Sequence, residues 1–353
     1  MKTIKQCFSL VLILCLSVAF YGCEKEPYDM DEPGNLVPKT VTEDPLLPRL
    51  EVNGTTFHAE TMGNIENPII IFLHGGPGSD YRAFISQIGL ENASRYPGER
   101  AITNGGLSQL QDDYFCVFYD QRGAGLSPRY DRGEVTFDLY VEDLDAIIDY
   151  YLDKKSGETG IQENQVYIVG WSFGGTLATG YLNEHPDKVR DLVLYEPGPI
   201  AKNIVDYFIE NTTSVFGQIG DEWLEEFLLS HDHFTADDHA RADYQYLLGA
   251  FRSNPQFHED DNCPLWRMGI FIEQEDLDFF ASDNFDITSG LSAYEGRLLM
   301  VCGELTINEY PDYPAMEMSH YPITEYVEIS GVGHTGPWEK PDEIASLIRT
   351  FFQ

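Results

Sequence analysis

Ser172 lies in Gly170-Trp171-Ser172-Phe173-Gly174, directly after a β-branched run (Val166, Ile168, Val169) and directly before a helix-like stretch, TLATGYLNEH. A serine hydroxyl is a useful nucleophile only when it is lifted clear of the backbone and set against a base. A sharp strand-to-helix turn does the lifting, and it is tight enough that its flanks favour glycine; Gly170, Gly174 and Gly175 supply that room. His334, in SGVGHTGPWEKPDE, follows the last strand-like run and is the expected general base. His74-Gly75-Gly76-Pro77-Gly78 follows the apolar run PIIIFL, and a glycine-rich loop at such a place offers a backbone N–H to a developing oxyanion. Gly76 and Phe173, the residue after the serine, are the expected donors. The other histidines suit the base role less well. His231, His233, His239 and His258 fall in a helical block, and His58, His185 and His320 sit in ordinary polar contexts. The chemistry indicated is acyl transfer through a covalent serine intermediate, which needs no metal and no cofactor.

The elements that must carry these residues alternate strand and helix from Leu50 onward. RLEVNG and TTFHAETMG read as an opening antiparallel pair. PIIIFL, YFCVFY, QVYIVG, RDLVLYE, GRLLMVCG and EYVEIS read as further strands. Residues 136–152 have apolar side chains at helical spacing (Leu139, Val141, Leu144, Ile147, Ile148, Tyr151) with acids on the other face, and residues 340–352 close the chain as an amphipathic helix. Near-continuous apolar strands alternating with helices predict an α/β fold, a mostly parallel sheet covered on both faces. Sites in such sheets form at the carboxyl ends of strands, and the loops after Leu73, Tyr119, Val169 and Ile329 converge there. Between Pro197 and Gly296 the alternation stops; stretches 206–218, 221–230 and 236–251 read as helices. The expected organisation is a core of residues 49–199 and 291–353 with a helical cap, 200–290, inserted after the sixth strand. A second insertion, 91–113, is expected near the entrance.

Taken together, HGGPG, DQRGAGLS (Asp120 to Ser127), GWSFGG and GVGH resemble the proline iminopeptidase family of the α/β-hydrolase fold, over a core from about Leu50 to Gln353. The resemblance implies a serine peptidase that releases N-terminal residues, proline among them, from short peptides, with Asp120 and Arg122 bracing the turn beside the serine. It also implies an Asp three residues after the glycine ending the seventh strand. That stretch here is Gly303-Glu304-Leu305-Thr306, so threonine fills the position. Three placements of the triad acid stay open: Glu196, directly after the sixth strand; Glu304, Glu309 or Asp312 from the seventh-strand loop; or no acid at all. Recognition of a substrate amine is implied to rest on cap carboxylates, for which Glu210, Glu222, Glu225, Glu226, Asp237, Asp238 and Asp243 are available. Trp223 and Trp266 are faint echoes of the family's cap motif. A carboxylesterase or lactonase, with a pocket built from cap phenylalanines (Phe208, Phe216, Phe227, Phe271, Phe279, Phe280), and an inactive surface binding protein are the alternatives. Serine in the nucleophile position argues against dehalogenase or epoxide hydrolase chemistry, which requires Asp there.

The start of the chain belongs to export. Lys2 and Lys5 precede an apolar run, Phe8 to Tyr21, of signal-peptide length, and Gly22-Cys23 is read as a lipoprotein cleavage site. Residues 1–22 are the expected signal and Cys23 the expected lipidated residue of a cell-envelope lipoprotein, followed by an acidic, proline-containing tether over 23–48. With 22 basic and 59 acidic residues the net charge is −37. That field disfavours nucleic acid and anionic lipid as partners, so membrane contact is expected only through Cys23. Cys116 and Cys302 read as buried thiols, and with Cys263 they offer no disulfide framework and no metal spacing.

Overall fold

Ile69–Leu73 is buried at every residue, as is Phe115–Tyr119. Strands that are apolar on both faces must lie between two layers, and the computed structural model, which describes residues 32–86, 105–211, 239–246 and 264–353, places them in that way. The strands are β1 (Arg49–Val52), β2 (Thr55–Met62), β3 (Ile69–Leu73), β4 (Phe115–Tyr119), β5 (Val166–Trp171), β6 (Val189–Tyr195), β7 (Arg297–Gly303) and β8 (Thr324–Ile329). They form an eight-stranded sheet in the order β1-β2-β4-β3-β5-β6-β7-β8. The β1–β2 and β2–β4 pairings are antiparallel and the rest parallel. This is an α/β-hydrolase fold.

The register puts the working ends side by side. Leu73 lies opposite Gly170, Trp171 opposite Tyr195, Tyr195 opposite Val301, and Gly303 opposite Ile329. The loops that follow β3, β5, β6, β7 and β8 therefore leave the sheet along one edge.

The helices, in chain order, are α1 (Arg82–Ile85), α2 (Phe137–Thr159), α3 (Phe173–Glu184), α4 (Lys202–Asn211), α5 (His239–Tyr246), α6 (Ile270–Ala281), α7 (Glu304–Glu309), α8 (Tyr313–Met318), α9 (Gly336–Glu339) and α10 (Pro341–Phe351). On one face of the sheet Ile69, Ile71 and Ile168 pack with Leu144 and Ile148 of α2 and Leu177 of α3. On the other face Ile70, Phe72 and Val169 pack with Ile344 and Ile348 of α10. The α2 helix begins at Thr136, whose hydroxyl accepts from the Leu139 N–H, and ends where Gly160 turns left-handed at φ 76°. It runs beyond the expected end at residue 152 because the apolar stripe stops there but the helix-forming polar residues do not; a Lys154–Glu158 ion pair spans its last turns. No described helix is long and apolar enough to cross a membrane.

Two expectations change. The tether reading does not hold from Val37 onward: Val37, Val41 and Leu47 are buried, and the Val41 N–H donates to the Leu126 carbonyl at 2.9 Å. Scattered apolar residues in an acidic segment suffice when the core supplies the rest of the pocket. Of the expected second insertion, residues 105–113 pack against α10, with Arg349 holding Asp113 and the Gln109 carbonyl, rather than at an entrance; residues 91–104 lie outside the described residues. In the cap, α4 starts four residues ahead of the expected helix 206–218 and overlaps it at 206–211, and α5 falls within the expected helix 236–251; residues 212–218 and the expected helix 221–230 lie outside the described residues. The chain leaves and re-enters the core through a short antiparallel pairing, with Lys202 N–H on the Phe285 carbonyl and Ile287 N–H on the Ile200 carbonyl.

Candidate active site

Ser172 joins β5 to α3 with φ 54° and ψ −126°, a left-handed conformation that a non-glycine residue adopts only when its surroundings enforce it. The surroundings do so. A Cβ on Gly174 would lie 1.9 Å from the Leu73 carbonyl oxygen, and one on Gly170 would lie 2.7 Å from the Gly174 carbonyl oxygen. The turn thus packs into the end of β3 with no space for a side chain. The Ser172 carbonyl accepts from the N–H groups of Gly175 (2.7 Å) and Gly198 (2.8 Å), which locks the turn from both sides.

The oxyanion-type loop is built around His74. Its Nδ1 donates to the Gly75 carbonyl at 2.7 Å and its Nε2 accepts from the Gln121 N–H at 3.0 Å. Burial holds the imidazole below its ordinary pKa, so the ring is a neutral brace with both nitrogens engaged. Gly75 runs so close to the nucleophile that a Cβ there would sit 2.8 Å from the Ser172 Cβ. Gly76 has φ 126°. Phe173 opens α3, where helix N–H groups lack intrahelical acceptors. Gly76 follows Gly75 on the loop that approaches Ser172, and Phe173 follows Ser172 at the start of α3.

His334 is held by the strand ends beneath it. Trp171 Nε1 donates to the His334 carbonyl at 3.0 Å, and the Tyr195 hydroxyl donates to the Gly333 carbonyl at 2.6 Å. The His334 side chain is half exposed, whereas Glu196 is only 2% exposed. Glu196 has φ 40°, which turns its side chain back across the sheet edge. Its Oε2 lies 2.9 Å from His334 Nδ1, its Oε1 accepts from the Gly303 N–H at 2.7 Å, and the Thr306 hydroxyl donates to Oε2 at 3.0 Å. A Nδ1–H engaged by this carboxylate leaves Nε2 as the acceptor. Glu304 turns elsewhere, to the Ser330 hydroxyl and the Gly331 N–H, whose hydrogen bonds hold its carboxyl below the usual range. Asp312 meets Tyr207 through its backbone N–H. Of the four candidate acids, Glu196 is the one brought to His334.

The DQRGAGLS segment braces, as expected. Asp120 accepts from the N–H groups of Tyr81 (3.0 Å) and Leu126 (2.7 Å), and Arg122 pairs with Asp143 at 2.6 Å. Asp120 also holds His58 Nδ1 at 2.6 Å; His58 is fully buried, not in the ordinary polar context its sequence neighbours indicate. Asp80 ties this loop to the cap, accepting from the N–H groups of Trp266 (2.6 Å) and Arg267 (3.0 Å), while burial and neighbouring Asp120 push its carboxyl up to about 8. No motif marks Asp80; the only signal is an acid directly after the glycine-rich loop.

The cap acids divide. Asp243 is not available to a substrate. It is buried, and its Oδ2 pairs with Arg129 at 2.9 Å and Arg267 at 2.6 Å. Burial pushes its carboxyl up, but the two guanidinium groups outweigh that and hold it below the usual range. Glu210 is exposed on α4. Glu222, Glu225, Glu226, Asp237 and Asp238 lie outside the described residues, as do Trp223, Cys23 and Cys263. Cys116 and Cys302 are buried thiols. Among the cap aromatics, Phe280 packs edge-on against Phe173 and Phe279 stacks on Phe137, while Phe208 lies against Tyr310 and Tyr313. Among the described residues no group of three His, Cys, Asp or Glu side chains is placed to hold a metal ion.

The fold and site define a class: residues 70–347 match the model of the alpha/beta hydrolase family, and the chain belongs to that family and is a hydrolase. Among named relatives, it is 24% identical over 315 residues to the proline iminopeptidase PfmaB of Pestalotiopsis fici, spanning 86% of this chain and 98% of that one. It is 29% identical over 174 residues to a proline iminopeptidase of Arabidopsis thaliana, a match covering 49% of this chain and only 37% of that one. Among solved structures, a thermophilic esterase from Thermogutta terrifontis shares the fold at TM-score 0.52 and 19% identity, over 86% of this chain and 98% of that one.

Proposed function

We propose that this protein is a serine hydrolase acting through an acyl-enzyme, and that its substrates are short peptides from which it releases the N-terminal residue. The observation that carries the reading is the Glu196–His334 contact at 2.9 Å beside a serine held at positive φ. Ser172 attacks the scissile carbonyl, His334 Nε2 takes the hydroxyl proton and returns it to the leaving amine, and Glu196 holds the tautomer that makes Nε2 the acceptor. The N–H groups of Gly76 and Phe173 stabilise the oxyanion, each worth about 3 kcal/mol in the transition state. Water then repeats the sequence to release the acid. Proline iminopeptidase relatives support the peptidase class.

A carboxylesterase or lactonase reading of the same site is favoured by two observations: Asp243 is already neutralised by two arginines, and the cap's Phe280 packs against Phe173. Turnover of a prolyl arylamide against a p-nitrophenyl ester separates the two. Ester turnover with no hydrolysis of any aminoacyl arylamide sinks the peptidase reading. The inactive-binder alternative drew only on threonine at position 306, and Glu196 removes that argument; failure of a fluorophosphonate to label Ser172 would revive it. Export as a lipoprotein rests on the Gly22-Cys23 motif, and we propose it on that basis. Labelled palmitate incorporated in cells, and lost in Cys23→Ala, is the expected result.

A further inference from the structure

We propose that Thr306, which stands where the resemblance led us to expect the acid itself, is a positioning residue that aims the Glu196 carboxylate at His334. The inference rests on the catalytic reading above. Glu196 is buried, and a buried carboxylate must have its oxygens satisfied by fixed donors. The Gly303 N–H fixes Oε1 at 2.7 Å. One fixed oxygen leaves the carboxylate plane free to turn about its terminal bond, which is a broad torsion. The Thr306 hydroxyl, 3.0 Å from Oε2, is the second fixed point, and it acts on the same oxygen that meets His334 Nδ1.

The element that carries Thr306 also holds the base. Leu305, its neighbour in α7, donates its N–H to the Val332 carbonyl at 3.0 Å, in the loop that leads to His334. Gly333 permits the approach, since a Cβ there would come within 3.3 Å of the Thr306 hydroxyl oxygen. One short helix after β7 thus joins the loop of the acid, after β6, to the loop of the base, after β8. A threonine in this place keeps the donor of the second bond and adds no second negative charge beside Glu196.

The test is the rate of fluorophosphonate labelling of Ser172, read with ester kcat and KM, in the full chain. Thr306→Val keeps the shape and removes the donor; a charge-assisted bond to a carboxylate is lost. We expect labelling and kcat to fall about tenfold with KM within about twofold, and Thr306→Ser to recover most of the rate. Because Thr306 acts through the carboxylate, Thr306→Val added to Glu196→Gln should cost nothing further. Wild-type rates in Thr306→Val, equal losses in Thr306→Ser and Thr306→Val, or additive losses in the double variant would each overturn the inference while leaving the triad standing. No labelling of the wild type, or none of the expected slowing in Glu196→Gln, overturns the triad and this inference with it.

Discussion

Replacing Glu196 by Gln changes one atom and, through the hydrogen bonds around it, reverses the base. The amide has one acceptor end and one donor end. The Gly303 backbone N–H, which donates to Oε1 at 2.7 Å, is fixed in direction and demands the acceptor end. The amide NH2 is then forced to the Oε2 position, where it faces His334 Nδ1. It donates to Nδ1, so the imidazole carries its proton on Nε2 and has no lone pair for the Ser172 hydroxyl. Wrong-tautomer substitutions of this kind cost on the order of 10⁴-fold in kcat, which is about 5.5 kcal/mol of transition-state stabilisation. The nucleophile turn and the oxyanion donors are untouched, so a rate above the uncatalysed reaction remains. Ester hydrolysis under saturating substrate gives kcat directly, and a thermal melt confirms the variant is folded. A loss of less than about tenfold in a folded variant would refute both the assignment of the acid and the argument from the Gly303 donor.

Three further outcomes follow from other parts of the molecule. Asp243→Asn removes the charge that buried Arg129 and Arg267 share, leaving Arg267 only Glu43, at 3.7 Å, among the described residues, and should cost about 3–5 kcal/mol in a urea melt; a loss under about 1 kcal/mol would show the cluster to be dispensable. Glu317 is fully buried with both carboxylate oxygens unpartnered among the described residues, and burial pushes its carboxyl well above the usual range. The folded chain then keeps a proton that the unfolded chain has lost, so stability falls as pH rises above the ordinary carboxylate range. Glu317→Gln should remove that slope, so the variant gains on the wild type as pH rises above the ordinary carboxylate range; parallel calorimetric pH profiles would contradict it. Gly75→Ala places a Cβ 2.8 Å from the Ser172 Cβ and 2.9 Å from the Trp171 ring. Misplacing the nucleophile on this scale should lower kcat about a hundredfold with circular dichroism unchanged, and a variant as fast as wild type would mean the loop yields without cost.

What could be read from the chain was local. The Ser172 turn is legible because the strand, the glycines and the helix that shape it are adjacent in sequence, although the Leu73 carbonyl and the Gly198 N–H that close it in are not, and His334 because a strand end and a glycine-rich loop announce it. The central strands were legible from nearly unbroken apolar runs, and the outer ones from shorter runs broken by polar residues. Pairings distant in sequence were not. The Thr306 bond to Glu196 spans 110 positions and the Arg267 bond to Pro38 spans 229. In sequence, Thr306 reads as a missing acid and Asp243 as one of several cap acids available to a substrate amine. Only the fold reveals that the first serves a carboxylate from the neighbouring strand and that the second is enclosed between arginines. Residues 37–47 failed for a related reason, because composition averages over a segment while burial is decided by a few of its side chains, Val37, Thr40, Val41 and Leu47.

The segment ahead of β1 has a practical consequence for anyone who trims this protein. Its Val41 N–H is hydrogen-bonded to the Leu126 carbonyl, and its Pro38 carbonyl accepts from Arg267, the residue that also grips Asp243 at the base of the cap. A polypeptide begun at Arg49, where the first strand starts, would strip Val41 and Leu47 from one half of the core and remove a mooring of the cap in the same cut. Such a version should expose apolar wall, aggregate readily and hold its cap loosely. The natural place to begin a recombinant domain is ahead of Val37, the first buried residue of the arm, with the arm left on.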